Sequence, residues 1–172
     1  MKITRNDANW WKSYFINPSL KFLTMLLGLS LVMEIISLLA IILAVIYDIY
    51  KNHNMGNNLM IVLFIITFIC IIIITFELME IMKAFIDREV FILKNVLRLR
   101  KVGFSTIIVG VFIFINNILK YGPCAFTFLD LGNGITSRID TVLGIFIGII
   151  ILVFAEIFKE AVKIKEENDL MI

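Results

Sequence analysis

Long apolar runs broken by single polar residues set the pattern of this chain. Four of them reach the roughly 20 residues that a helix needs to cross a hydrocarbon core about 30 Å thick. They run from about Leu20 to Ile46, Leu59 to Met82, Val102 to Leu119 and Val142 to Phe158. Stretches such as FIITFICIIIITF are rich in β-branched residues and in water would suggest buried strand. In lipid every backbone N–H and C=O must be bonded within its own segment, so the same pattern predicts helices. The expectation is an all-α polytopic membrane protein, a single domain over residues 1–172 with four transmembrane helices in one bundle.

Composition agrees and narrows the class. Of 172 residues, 60% are apolar and 17% charged, and the mean hydropathy is +0.99. That leaves too little polar surface to cover a water-soluble globule, which excludes a soluble enzyme, a disordered chain and a disulfide scaffold. The first run is too long for a signal-peptide core, and no small-residue cleavage site follows it before Tyr47, so it reads as a retained span.

Charge placement predicts orientation. Lys2, Arg5, Lys12 and Lys21 precede or open the first run, Lys83, Arg88, Lys94, Arg98, Arg100 and Lys101 lie between the second and third, and Lys159, Lys163 and Lys165 follow the fourth. Only Lys51, Lys120 and Arg138 fall on the other side. The positive-inside rule therefore puts both termini and the middle connection in the cytoplasm. Trp10, Trp11, Tyr14 and Phe15 suit the inner interface, and Tyr47, Tyr50 and Tyr121 the outer one. The net charge of +2 hides this asymmetry. A basic side is expected beside anionic lipid and does not indicate direct nucleic-acid binding.

In the middle connection, Ile86, Val90, Leu93 and Leu97 recur at helical spacing, with Lys94, Arg98 and Lys101 on another face. This predicts a basic amphipathic helix lying on the cytoplasmic interface, either simply resting on lipid or offering a face to a partner. Between the last two runs, YGPCAFTFLDLGNGITSRID is a longer outer loop bounded by turn signals at Gly122-Pro123 and Gly132-Asn133-Gly134. Its middle, Phe126 to Leu131, is apolar enough either to lie along the outer interface or to dip into the protein. The tail after the fourth run has a helical pattern and reads as a solvated extension of that span.

Polar groups within the spans need a reason, because each costs several kcal/mol to insert. Glu34 stands furthest from other charges along its own helix. It is expected to be either protonated or paired with a donor on another helix, with Asn116, Asn117, Ser30 and Thr67 as candidate partners. Glu34, Asn116 and Asn117 form the candidate intramembrane polar site. As a functional group Glu34 would serve proton or cation passage; as a structural one it would tie helices together. Glu77 and Glu80 share a helical face near the inner end of the second span, and Glu156 sits at a similar depth on the fourth. Together with Arg98, Arg100 and Lys101 they form a candidate inner-interface charge cluster, either a salt-bridged ring or an acidic vestibule for cations. Gly144 and Gly148 form a small-xxx-small pair that marks a packing face.

Catalytic patterns are missing from the sequence. His53 is the only histidine, so no His-based triad or His-containing metal site can be assembled. The phosphate-binding, dinucleotide, C-x-x-C and H-E-x-x-H motifs do not occur. No enzyme activity, cofactor or metal is expected. Cys70 and Cys124 lie at different depths and are expected to be free thiols.

The stretch VFILKNVLRLRKVG (Val90 to Gly103) resembles the F-x-x-x-N-V-x-R-L-R-x-I-G pattern of the YoaS-like family of small bacterial membrane proteins of unknown function. The tail FAEIFKEAVKIKEENDLMI (Phe154 to Ile172) resembles that family's ending, with Met171 and Ala161 in place of its usual Thr and Gly. The resemblance implies four spans and frequent encoding beside a small Xre/Cro-type helix-turn-helix regulator. It therefore implies a regulatory or sensing role, with Asn95, Arg98, Arg100, Glu156, Phe158, Glu166, Glu167, Asp169 and Leu170 on the cytoplasmic face. A small transporter, permeation subunit or peptide-immunity protein using Glu34 is the alternative. The lipid bilayer is an expected partner on either reading, and a homo-oligomer is left open.

Overall fold

Apolar length decides the elements, and each run becomes one long helix. The computed structural model describes residues 10–52, 58–122 and 140–170. Within them lie α1 (Trp10–Asn52), α2 (Asn58–Ile86), α3 (Leu93–Tyr121) and α4 (Asp140–Asp169). Each holds a stretch long and apolar enough to span a membrane: Pro18–Tyr47, Ile61–Ile86, Leu93–Tyr121 and Val142–Asp169. The chain is a multi-pass membrane protein. His53, Cys124 and most of the loop between α3 and α4 lie outside the described residues, as does the pairing state of Cys124; Cys70 is a buried free thiol.

The helices pack in chain order, α1 on α2, α2 on α3 and α3 on α4, with no comparable contact of α4 on α1 among the described residues. The four helices thus form an open row. Neighbours are antiparallel: Gly28 of α1 lies opposite Met79 of α2, Phe64 of α2 meets Phe112 of α3, and Gly110 of α3 meets Gly144 of α4. The C-terminal ends of α2 and α4 and the N-terminal end of α3 therefore share one end of the row. Most charges gather there, and it is called the charged end below.

The tightest seam joins α3 to α4. A Cβ on Gly110 would stand 2.5 Å from the Ile145 nitrogen, and one on Gly148 would stand 2.9 Å from the Ile107 nitrogen. Side chains are absent here because the two backbones touch, the arrangement that small residues permit between membrane helices. Val102 of α3 and Ala155 of α4 are also buried. At the opposite edge α1 is the least covered helix: none of its spanning window is buried by protein. Its Leu, Ile and Val side chains have lipid as their solvent, so they need no protein cover.

The connection between α2 and α3 differs from the expected amphipathic helix. Asp87 to Ile92 form a turn, and the basic stretch from Lys94 to Lys101 belongs to α3 itself, continuous with the span. Glu89 N–H donates to the Ala84 carbonyl at 2.9 Å and Arg88 N–H to the Phe85 carbonyl at 3.3 Å. That pair of bonds is a helix-ending Schellman motif, and it puts Arg88 in the left-handed region at φ 62°. Leu93 and Leu97 are exposed, as an apolar face on lipid requires, and Lys94 and Lys101 are exposed with them. Asn95 and Arg98 are buried, turned toward protein where partners exist.

Candidate functional site

Asn95 opens the site. It is 1% exposed, and its side-chain amide donates to the carbonyls of Glu89 at 3.0 Å and Val90 at 2.9 Å. One side chain thus satisfies two carbonyls of the turn and fixes that turn against the first turn of α3. Its remaining oxygen accepts from Arg98 Nη1 at 2.9 Å.

Arg98 then spans from α3 to α2. Nη2 donates to the Glu80 carboxylate at 2.7 Å, and Nη1 donates to the Glu80 main-chain carbonyl at 3.2 Å. Nε lies 3.9 Å from Glu77 Oε2. Glu77 takes its short bond from Lys101 Nζ at 2.7 Å. Lys83 Nζ completes the chain at 2.7 Å from Glu80. The side chains of Glu77 and Arg98 are 8% and 10% exposed, so their charges are fixed between helices. In such a place a lost partner leaves an uncompensated charge and is costly. Five of the residues read as a charge cluster, Glu77, Glu80, Arg98, Arg100 and Lys101, thus lie at the α2–α3 end with Glu156 across from them on α4. They do not close into a ring. Arg100 points the other way along α3 and pairs with Glu156 of α4, which Lys159 also approaches at 3.7 Å. Phe91, in the turn, stacks on Phe158 of α4 with ring centroids 5.6 Å apart.

A cavity of about 340 Å³ opens beside this network, lined by Phe76, Glu77, Glu80, Lys94, Leu97, Arg98 and Lys101. On the far side of α3 an apolar cavity of about 260 Å³ lies between α2, α3 and α4, with Asn95 as its sole polar lining residue.

The intramembrane site takes a different form from the expected one. Glu34 Oε1 accepts from Thr75 of α2 at 2.8 Å, while Glu34 Oε2 is buried without a hydrogen-bond partner. Ser30 and Thr67 instead bond back to carbonyls of their own helices. Asn116 is exposed and Asn117 buried, and both lie more than a turn beyond the level at which Phe112 meets Phe64. Glu34, facing Thr75, is therefore at another depth and is not joined with them. Thr75 escapes sequence reasoning because a mid-span threonine ordinarily bonds its own helix, which Thr75 also does, to Ile71 at 3.2 Å. Among the described residues no group of three His, Cys, Asp or Glu could hold a metal ion.

The family of proteins of unknown function designated DUF2975 matches residues 38–172, which takes in α2, α3, α4 and the whole charge network. The chain belongs to the DUF2975 family. Glu34 precedes the part of this DUF2975 protein that the family covers. Among curated proteins and solved structures, none matches the chain.

Proposed function

We propose that this DUF2975 protein is an interaction protein of a bacterial inner membrane, with its charged end in the cytoplasm, where it docks a soluble partner. The observation that carries the reading is a fixed polar platform at that end. Asn95 and Arg98 hold α2, the turn and α3 together, and the Phe91–Phe158 stack joins α4 to them. α4 has 30 residues, about 45 Å at about 1.5 Å per residue, so it outruns a hydrocarbon core of about 30 Å by about 15 Å. The surplus carries exposed Glu160, Lys163, Lys165, Glu166, Glu167 and Asp169. The surplus of Lys and Arg at this end supports its cytoplasmic placement. A mixed-charge helix held rigidly off the membrane suits recognition of a protein by complementary charge. Resemblance to the YoaS-like proteins suggests the partner class, a small helix-turn-helix regulator. The reading assigns no catalysis and no cofactor.

The test is a crosslinked pull-down from native membranes, comparing wild type with a Lys163→Glu/Lys165→Glu variant. A small cytoplasmic protein held by wild type and lost from the variant is the expected result. A correctly inserted wild type that captures no such protein contradicts the reading.

One observation favours a second reading, in which Glu34 serves ion or peptide passage: its Oε2 is buried and has no partner. Glu34→Gln keeps the shape and removes the acid. Loss of flux in that variant, with pull-down unchanged, supports passage over docking.

A further inference from the structure

We infer that the cavity between α2 and α3 is a head-group site for an anionic phospholipid, with the phosphate held between Lys94 and Lys101. Hydrogen-bond capacity argues for an acceptor-rich, anionic occupant. The two carboxylates of the lining are already engaged, Glu77 by Lys101 and Glu80 by Arg98 and Lys83. The cations are not saturated. Lys94 is exposed and has no carboxylate within 4.0 Å among the described residues. Lys101 commits one donor to Glu77 and keeps its side chain 62% exposed. An ammonium has three donors, so both lysines have N–H groups left over. They stand seven residues apart on one helix face, about 10 Å along the axis, within reach of one phosphate between them.

The rest of the lining selects an amphiphile over a free ion. Phe76 and Leu97 line the same cavity and are 47% and 50% exposed, giving an apolar wall on which an acyl chain can lie. The cavity sits where α2 passes from its apolar run to Glu77 and Glu80, the level at which head groups meet hydrocarbon. Basic pockets between membrane helices at that level bind acidic head groups. An acidic protein segment fits less well, because the apolar wall faces lipid. The inference requires only that the chain is in a membrane, and is independent of the docking reading.

The test uses the full-length protein in detergent, offered equal amounts of phosphatidylglycerol and phosphatidylcholine, with bound lipid counted by native mass spectrometry. Wild type is expected to retain phosphatidylglycerol at least fivefold over phosphatidylcholine. Lys94→Gln is expected to cut that preference by about fivefold, the value of one lysine near an anionic surface. This variant leaves the Arg98 and Lys101 pairs in place, so it should stay folded. Lys163→Gln, the same charge change on the extension of α4, should leave the preference intact. Equal retention of the two lipids by wild type, or equal loss in both variants, overturns the inference. So does displacement of bound phosphatidylglycerol by millimolar inorganic phosphate, which indicates an ion site, or by an acidic peptide, which indicates a protein-docking surface.

Discussion

Arg98 holds Glu80 twice, donating to its carboxylate at 2.7 Å and to its main-chain carbonyl at 3.2 Å. The second bond reaches the backbone of α2 and therefore fixes the helix, not only the side chain. It also explains why an arginine stands here, since a lysine ammonium lacks the planar fork that reaches two acceptors at once.

Replacing Arg98 with Gln should destabilise the protein by about 3–5 kcal/mol, because Glu77 and Glu80 are left partly buried with less compensation. Arg98→Lys should recover only part of that loss. Denaturant titration in mixed micelles, followed by circular dichroism, gives the order wild type, Lys, Gln. A Gln variant as stable as wild type removes the network from the fold's supports.

The α3–α4 seam predicts a steric effect. Gly110→Leu has no room, since even a Cβ stands 2.5 Å from the Ile145 nitrogen. The helices must separate, at a cost of about 1–3 kcal/mol or more. Gly122→Ala meets no described atom within 4 Å of its Cβ position, though its φ of 55° adds local strain. Thermal unfolding in detergent should show the larger loss for Gly110→Leu.

Arg88 offers a gain. It occupies the left-handed position of the Schellman turn at φ 62°, where an L side chain costs about 1–2 kcal/mol and glycine is the usual occupant. Arg88→Gly should raise stability by up to about 1 kcal/mol after the added freedom of the unfolded chain is subtracted. A fall in midpoint instead would mean that the Arg88 side chain contributes more than its backbone strain.

Glu34 and Thr75 predict a pair. Glu34→Gln retains an oxygen for the Thr75 hydroxyl and should change stability by less than about 0.5 kcal/mol. Thr75→Val removes the donor and should cost about 0.5–1.5 kcal/mol. In the Glu34→Gln background, Thr75→Val should cost a similar amount, and a much larger cost in wild type would show that the carboxyl group holds Thr75 more strongly than an amide does.

The spans are legible in the sequence because apolar length is a local property that lipid enforces residue by residue. Packing between spans is less so. Gly144 and Gly148 identify a packing face, but Gly103 and Gly110 are found as their partners only when the register of α3 against α4 is known. The same holds for the charges. Glu77, Glu80, Arg98 and Lys101 are readable as one cluster, whereas which acid meets which base depends on where the Asp87–Ile92 turn ends α2. The stretch from Ile86 to Lys101 misleads for a physical reason. Its apolar spacing suits a helix lying on the interface as well as it suits the first turns of a span, and only the Asp87–Ile92 turn shows that Lys94 to Lys101 continue into α3, with Asn95 and Arg98 turned in. Glu34 is recognisable as an expensive residue; its partner Thr75 is not, because a threonine is unremarkable in any span.

Where the extension of α4 lies decides whether a cytoplasmic partner can meet it at all. A Lys163→Cys variant in a Cys70→Ser/Cys124→Ser background, treated with a membrane-impermeant thiol reagent, measures this directly. Labelling in inverted membrane vesicles but not in intact cells is the predicted result. Labelling in intact cells would put the charged end outside and contradict a cytoplasmic docking role.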